Sequence, residues 1–207
     1  MLVDGSSDEP LGRHVAALAR RHEVRLDVVT PEFERMNMSP GRRVRDRLER
    51  MLELDPDFDA LVVHRDAERQ PCADRLNEIH AATESLDVAW PTVPVIPVRM
   101  TEAWLLLDEQ AIREVAGRPT GTESLDLPAA ALVEAHPDPK MLLQEALATA
   151  SGHSCRRLRK FQRDFPAHRR QLLDRLDRAG PVCRLSAWQA LEVATEEAMA
   201  RLIEAKI

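Results

Sequence analysis

Apolar and polar positions in the first hundred residues follow two periods, one typical of helices and one typical of strands. In residues 11–22 the apolar side chains recur at intervals of three and four, which predicts an amphipathic helix. Residues 58–63 are almost continuously apolar, as expected of a strand covered on both faces. Strand patterns also occupy residues 2–3, 24–30 and 93–100, and helical patterns occupy residues 40–52 and 72–86. Four strands separated by three helices predict a parallel α/β sheet with helices on its faces.

The fourth of these strands carries two prolines, Pro94 and Pro97. Proline donates no backbone hydrogen bond, so it is confined to edge strands or to interruptions. We therefore expect residues 93–100 to form an edge strand or a short, interrupted one.

After residue 100 the pattern becomes helical. Residues 101–116 read as helix with a break near Asp108, and residues 118–128 read as a loop. Helical periodicity then continues through residues 129–134, 140–150, 156–178 with a break at Pro166, and 186–206. Ser186 followed by Gln189 is a capping-box pattern for the last helix. We predict an α/β domain over residues 1–117 and a helical extension over residues 118–207 that packs on it.

Composition limits the class of protein. The chain has 207 residues and is 44% hydrophobic, enough for one core or a core with a small appendage. Its apolar runs are too short to span a bilayer, and no secretory leader pattern opens the chain, which predicts a cytoplasmic protein with no membrane contact. The three cysteines are isolated from one another, which predicts ordinary reduced thiols.

Charge is unevenly distributed. The formal net charge is -6, yet residues 156–178 contain nine Arg or Lys and three Asp, a local charge of +6. An acidic body with a basic helical segment is compatible with a metal site beside a phosphate-binding surface. The alternative is a solvated helix face with no ligand.

Acidic residues follow two of the predicted strands. Asp4 follows the first strand, and Asp66 and Glu68 follow the strand at residues 58–63. Parallel strands present the side chains at their carboxyl ends to a common crevice, so these acids could share a divalent metal ion. The alternatives are that Ser6 and Glu9 merely form a capping box and that acids in the loop after the strand are incidental.

Two further polar residues stand at predicted helix starts. Glu102 lies just after the fourth strand, where it either faces the crevice or complements the helix dipole. Lys140 follows Pro139 at the start of a helix, where its ammonium either meets a phosphate or is an ordinary surface charge.

Several of these segments resemble the TOPRIM domain, the fold shared by topoisomerases, bacterial primases and the overcoming-lysogenization-defect nucleases. Residues 3–8 (VDGSSD) resemble the opening V-E-G-x-S-D motif, and Asp66-Ala67-Glu68 is similar to the later D-x-D motif. Residues 102–108 (EAWLLLD) resemble the E-A-W-L-L-x-D signature of a TOPRIM-like family of unknown function that occurs beside ATPases and in some phage-defence systems. Residues 138–140 resemble the D-P-K motif of that family.

The resemblance implies a small TOPRIM-like parallel sheet and a Mg²⁺- or Mn²⁺-dependent site. It assigns the metal ligands to Asp4, Asp66, Glu68 and Glu102, and the candidate catalytic set adds Lys140 to these four. Two positions depart from the family pattern, because Asp4 replaces a glutamate and Glu68 replaces an aspartate. Mg²⁺ is sensitive to such changes in ligand length.

The leading functional hypothesis is a metal-dependent nuclease that hydrolyses phosphodiester bonds of DNA or RNA, acting as the effector partner of an ATPase in a bacterial antiphage-defence system. The alternative is a catalytically inactive adaptor or regulatory subunit that binds an ATPase. A nucleotide-binding module is disfavoured because the chain has no Gly-rich phosphate loop. The chain contains no tyrosine, which excludes the topoisomerase nucleophile.

Overall fold

A computed structural model describes residues 1–33, 35–36, 38, 40–54 and 57–205, and shows a helix-rich α/β fold with a small parallel sheet. The strands are β1 (Leu61–His64) and β2 (Thr92–Val95). The helices before residue 118 are α1 (Leu11–Ala19), α2 (Val44–Leu52), α3 (Cys72–Ser85), α4 (Glu102–Leu105) and α5 (Glu109–Val115). The later helices are α6 (Pro139–Ser151), α7 (Cys155–Arg163), α8 (Phe165–Asp174) and α9 (Ser186–Glu204). Short 3-10 helices occupy Ser6–Asp8, Arg20–His22, Ala130–Ala135 and Pro181–Arg184.

The sheet is built around β1, which has a parallel neighbour on each side. β2 pairs with all four residues of β1. On the opposite side, a single parallel bridge joins Leu2 to Val63, and the backbone of Leu2 bonds to Val62 at 2.8 Å and to His64 at 2.9 Å. The carboxyl ends of these three segments therefore lie at one edge of the sheet. The sequence predicts this arrangement for the strands at residues 2–3 and 58–63.

Pro94 lies inside β2 without interrupting the sheet. Backbone N–H groups of β1 and of the residues around its end donate to the carbonyl oxygens of Pro91, Val95 and Pro97, at 2.9, 3.0 and 3.1 Å. Alternate residues of β2 thus direct their backbone N–H and C=O groups toward β1. The backbone of Pro94 points to the opposite edge, so its missing N–H removes no hydrogen bond of the sheet. The prediction of an edge strand is confirmed, but the strand ends at Val95 and does not extend to residue 100.

Helices cover both faces of the sheet. Successive side chains of a strand point to opposite sides, so β1 contributes to the core on each face. Leu61 and Val63 of β1 pack in one apolar cluster with α2 and α3. Val62 of β1 and Val93 and Val95 of β2 pack in a larger cluster on the other face, together with α1, α4 and α9.

Residues 24–30 form no strand, so that part of the prediction is wrong. Their exposure alternates residue by residue, and Val24, Leu26 and Val28 pack against the larger apolar cluster. The segment has the sequence pattern of a strand because its alternate side chains pack against the core. Its backbone hydrogen bonds do not form a ladder with another described segment, and a contact from the Met1 amino group to the Val29 carbonyl oxygen connects it to the first residue.

The predicted helices beyond residue 100 are confirmed. The break near Asp108 separates α4 from α5, and residues 118–128 contain no helix or strand. The break predicted at Pro166 falls two residues earlier, at Asp164 between α7 and α8. Lys206, the last residue of the predicted final helix, lies outside the described residues. Among the described helices, none has the length and apolarity needed to cross a membrane.

The start of α9 is capped by a residue from another segment. Both oxygens of the Glu134 carboxylate accept hydrogen bonds, from the N–H and hydroxyl of Ser186 at 3.1 and 2.9 Å and from the N–H of Ala187 at 3.1 Å. The predicted Ser186–Gln189 capping box does not form, because the Gln189 amide donates instead to the Cys183 carbonyl oxygen at 3.3 Å.

The helices after residue 118 share a core with the sheet. Trp104 on α4 and Trp188 on α9 are fully buried, and their ring centroids lie 5.2 Å apart in an edge-to-face arrangement. Aromatic pairs in this geometry add about 0.5–1.5 kcal/mol to the stabilisation that their burial provides. The larger apolar cluster therefore joins the two parts of the chain directly behind the carboxyl ends of the strands.

Candidate functional site

Four carboxylates from three segments lie close together where the parallel segments end. We call Asp4, Asp8, Asp66 and Glu102 the acidic cluster. Asp4 follows the bridge at Leu2, Asp8 ends a 3-10 helix, Asp66 lies two residues beyond β1, and Glu102 is the first residue of α4. The fold thus brings together three acids that the sequence predicts and adds Asp8.

Asp66 is held by the residues around it. Its Oδ1 accepts from the Thr101 N–H at 2.9 Å and from the Thr101 hydroxyl at 3.1 Å, and lies 3.3 Å from His64 Nε2. Burial alone would raise the pKa of Asp66, but the hydrogen bond and charge of His64, with the charge of Arg169, bring that pKa below its ordinary value. Asp66 is therefore kept as a carboxylate.

His64, the last residue of β1, is buried beneath the cluster. Its side chain is fully buried, with Nε2 3.1 Å from Thr101 Oγ1 and Nδ1 3.8 Å from Asp8 Oδ2. Burial opposes the charged imidazolium, but the hydrogen bond and charge of Asp66 and the charges of Asp8 and Asp4 raise the pKa of His64 above its ordinary value. The sequence identifies this residue only as a strand end.

Arg169 of α8 joins Glu102 to Asp8. Its Nε donates to Glu102 Oε1 at 2.9 Å, and its terminal nitrogens donate to Asp8 Oδ1 at 2.6 Å and to Ser7 Oγ at 2.8 Å. All three charged side chains are more than nine-tenths buried. Burial raises the pKa of Glu102, and Asp66 adds to that effect, while Arg169 acts against it.

Asp4 lies on the more open side of the cluster, with its side chain 31% exposed. Its Oδ1 accepts from Arg65 at 2.6 Å, and its Oδ2 lies 3.4 Å from the Asp66 N–H. Arg47 approaches the backbone carbonyls of Val3 and Asp4. Asp4 and Asp66 are therefore neighbours, as their positions at the ends of adjacent strands predict.

Glu68 and Lys140 are not brought to the cluster. Glu68 has a left-handed backbone (φ 55°), and its side chain is 65% exposed and lies 3.5 Å from Arg75. Lys140 is exposed in the first turn of α6, which Asp138 caps by accepting from the Met141 N–H at 2.9 Å. Their predicted roles have no geometric support within the described residues.

Sequence reasoning missed several polar residues that complete the site. Asp8 is part of the motif at residues 3–8, so the resemblance contains the signal for it. Thr101 and His64 flank predicted strand ends, and that position is their only local signal. Arg169 stands among many other basic residues, so nothing local distinguishes it.

The acidic cluster offers donors suited to a hard divalent cation. Carboxylate oxygens are the ligands that Mg²⁺ prefers, and Glu102 Oε2 is buried without a hydrogen-bond partner among the described residues. In the same part of the chain, no three His, Cys, Asp or Glu side chains are grouped closely enough to hold an ion by themselves. Mg²⁺ commonly takes only one or two carboxylates and keeps several waters, so a group of three protein ligands is not required for a hydrated ion.

Comparison of the chain with protein-family models, with curated proteins and with solved structures finds no match. The resemblance to TOPRIM domains therefore stays a prediction that depends on the motifs at residues 3–8, 66–68, 102–108 and 138–140.

Proposed function

We propose that this chain is a metal-dependent phosphodiesterase that acts on nucleic acid. The observation that carries the proposal is the meeting of Asp4 and Asp66 at the carboxyl ends of adjacent parallel segments, with Glu102 in the same cluster. Ligands of α/β sheets bind at this end of the strands. Carboxylates at this end of the strands are suited to a divalent cation and, through it, to a phosphate.

In this proposal Asp4 and Asp66 hold a hydrated Mg²⁺ or Mn²⁺ ion, and Glu102 lies behind them. Such an ion, when bound, orients water and stabilises the negative charge that develops at phosphorus. His64 and Thr101 act as positioning residues, because their contacts with Asp66 Oδ1 fix the direction of that carboxylate. Arg65 holds Asp4 in the same way.

A basic cleft beside Asp4 supports a phosphate-containing substrate. The cleft has a volume of about 630 Å³. Its charged lining comprises two acids, Asp74 and Glu78, and the five arginines Arg42, Arg43, Arg45, Arg65 and Arg75. Arg65 donates to Asp4 Oδ1 and to the Arg42 carbonyl oxygen, so this side chain connects the wall of the cleft with the acidic cluster. Guanidinium groups bind phosphate oxygens through paired hydrogen bonds.

A second candidate is an inactive adaptor that binds a partner ATPase. The observation that favours it is charge neutralisation, because Arg169 pairs with Asp8 and Glu102, and Arg65 pairs with Asp4. Acids neutralised in this way are also typical of purely structural ion-pair networks. Both candidates include a partner ATPase in a defence system, and this part of each candidate depends on the resemblance alone.

The test is cleavage of plasmid DNA, single-stranded DNA and tRNA in Mg²⁺ or Mn²⁺. We expect weak cleavage by the wild-type chain alone and a loss of at least about 100-fold in Asp66→Asn, since even a residue that only orients a metal ligand contributes 10–100-fold. Because Glu68 lies outside the cluster, Glu68→Gln is the matched control and should retain most of the activity.

Three results would change the proposal. Equal cleavage by wild type and Asp66→Asn would identify a contaminating nuclease. Strong cleavage by the wild-type chain alone would support the nuclease and contradict dependence on a partner. No cleavage by the wild-type chain in either metal, even with a cognate ATPase, would favour the adaptor.

A further inference from the structure

Helix α7 carries an unusual density of unpaired positive charge. Five of its nine residues are Arg or Lys, none is acidic, and all five are exposed without an ion-pair partner among the described residues. These cations are Arg156, Arg157, Arg159, Lys160 and Arg163.

The charge on α7 is not explained by the stability of the helix. Positions three and four apart are neighbours on a helix surface, and like charges there repel. Arg156 faces Arg159 and Lys160 at these spacings, and Arg159 faces Arg163. No acid of the described structure forms an ion pair with these five cations, so an anionic partner outside the chain would relieve the repulsion.

The next helix shows the contrast. On α8, Arg169 is buried in the acidic cluster, Arg170 pairs with Glu9 at 2.7 Å, and Arg175 at its end pairs with Glu114 at 3.1 Å. The basic segment of the sequence thus divides into α8, whose cations pair with acids of other segments, and α7, whose cations have no ion-pair partner among the described residues.

The apolar side of α7 is already used. Phe161 packs against the larger apolar cluster and stacks on His168, with ring centroids 4.1 Å apart. Leu158 is half-buried, and no large hydrophobic side chain of α7 is exposed. α7 therefore offers neither an apolar surface for membrane insertion nor a free aromatic ring for stacking on a base.

We infer that α7 binds the phosphate backbone of a nucleic acid without reading its sequence, an inference that rests on the proposed function. Arg156 and Arg163 are seven residues apart, about 10 Å along the helix axis. That length matches about three phosphates along one strand at 3.4 Å each. α8 follows α7 at once and enters the acidic cluster through Arg169, so a strand bound on α7 lies beside the helix that leads to the site.

The test measures binding separately from cleavage. The probe is a fluorescently labelled duplex of mixed sequence, titrated in EDTA at KCl concentrations from about 50 to 200 mM. The variant combines Arg156→Gln, Arg159→Gln and Arg163→Gln, all at exposed positions, and circular dichroism checks its fold. We expect at least about tenfold weaker binding and a salt dependence shallower by about 2.7, since each duplex phosphate contact contributes about 0.9.

A second triple variant controls for net charge. Arg20→Gln, Arg25→Gln and Arg184→Gln remove the same charge from exposed positions that also have no ion-pair partner in the described structure. We expect binding to change less than about threefold. A change of sequence in the duplex should likewise leave the affinity of the wild-type chain unchanged.

Failure of this inference is distinguishable from failure of the proposed function. Binding that depends on α7, without cleavage in Mg²⁺ or Mn²⁺ even when a cognate ATPase is present, would support the inference and contradict the nuclease. Cleavage by wild type with equal duplex binding by the α7 variant would overturn the inference alone. Binding of poly-glutamate or of phosphatidylserine vesicles through α7, with no duplex binding, would also overturn it.

Discussion

His64 shows how neighbouring groups can reverse the effect of burial. Buried imidazoles ordinarily lose their proton, and His14 follows that rule: burial lowers its pKa, although its Nε2 lies 2.7 Å from the Leu173 carbonyl oxygen. His64 is at least as buried, yet its pKa is raised because Asp66, Asp8 and Asp4 surround it. The charge state of β1's last residue is therefore determined by the acidic cluster.

This difference predicts opposite effects of pH on stability. A raised pKa in the folded state means that the contribution of His64 is full below pH 6.5 and is lost as pH rises through the folded pKa. The difference in unfolding free energy between wild type and His64→Gln should therefore shrink as pH rises from about 6 to 9. Urea denaturation at a series of pH values measures it.

The comparison with a variant is needed because other groups titrate in the same range. Burial lowers the pKa of the Met1 amino group to about 6, so its contribution grows as pH rises. The difference between wild type and His14→Gln should also grow with pH, because the pKa of His14 is lowered. A wild-type minus His64→Gln difference that is constant or grows with pH would contradict the prediction.

A sequence predicts the position of a site residue only where neighbouring residues determine that position. Asp4 and Asp66 follow strand patterns, and the rule for parallel strands is enough to place them together. The partner of Glu102 is Arg169, 67 positions away, and no periodicity connects the two. Residues that complete a site through such long-range contacts leave no pattern in a single sequence.

At the element scale, helices were predictable and strands less so. The helical periods correctly indicate α3, α6 and the separation of α4 from α5, because one stripe of apolar residues defines a helix by itself. A strand needs a partner, and residues 24–30 have the alternation of a strand without the ladder. The cap of α9 is a similar case. Ser186 and Gln189 suggest a local capping box, but the acceptor for the start of the helix is Glu134, from another segment.

Removing the Glu134 cap should weaken the attachment of α9. Glu134→Ala leaves the N–H groups of Ser186 and Ala187 without their acceptor, and we expect a loss of about 1 kcal/mol of unfolding free energy, within the usual range for a helix cap. Glu145→Ala, at an exposed position of α6, is the matched control and should change stability by less than about 0.5 kcal/mol. Equal effects in urea denaturation would show that Glu134 does not act as a cap.

At the scale of the whole molecule, Arg169 connects α8 with the first residues of the chain. It bonds to Ser7 and Asp8, more than 160 residues earlier, and to Glu102 between them. The acidic cluster depends on this side chain, because two of its four carboxylates are buried against the guanidinium.

We expect Arg169→Met to lower the unfolding free energy by about 3–5 kcal/mol, because it leaves two buried carboxylates without their cation. The adjacent Arg170 pairs with Glu9 at a more exposed position, so Arg170→Met should cost less than about 1 kcal/mol. Chemical denaturation compares the two. If the Arg169 variant were no less stable than the Arg170 variant, the cluster would not depend on this ion pair.

The proline in β2 has a consequence for how these molecules behave in concentrated solution. An uncovered strand edge is a template on which a second polypeptide can align, and such templating leads to aggregation. Here the edge is four residues long, and its centre lacks the N–H that an incoming strand would need. Pro94 thus removes no hydrogen bond within the sheet, and it also disfavours the addition of a strand from a second molecule.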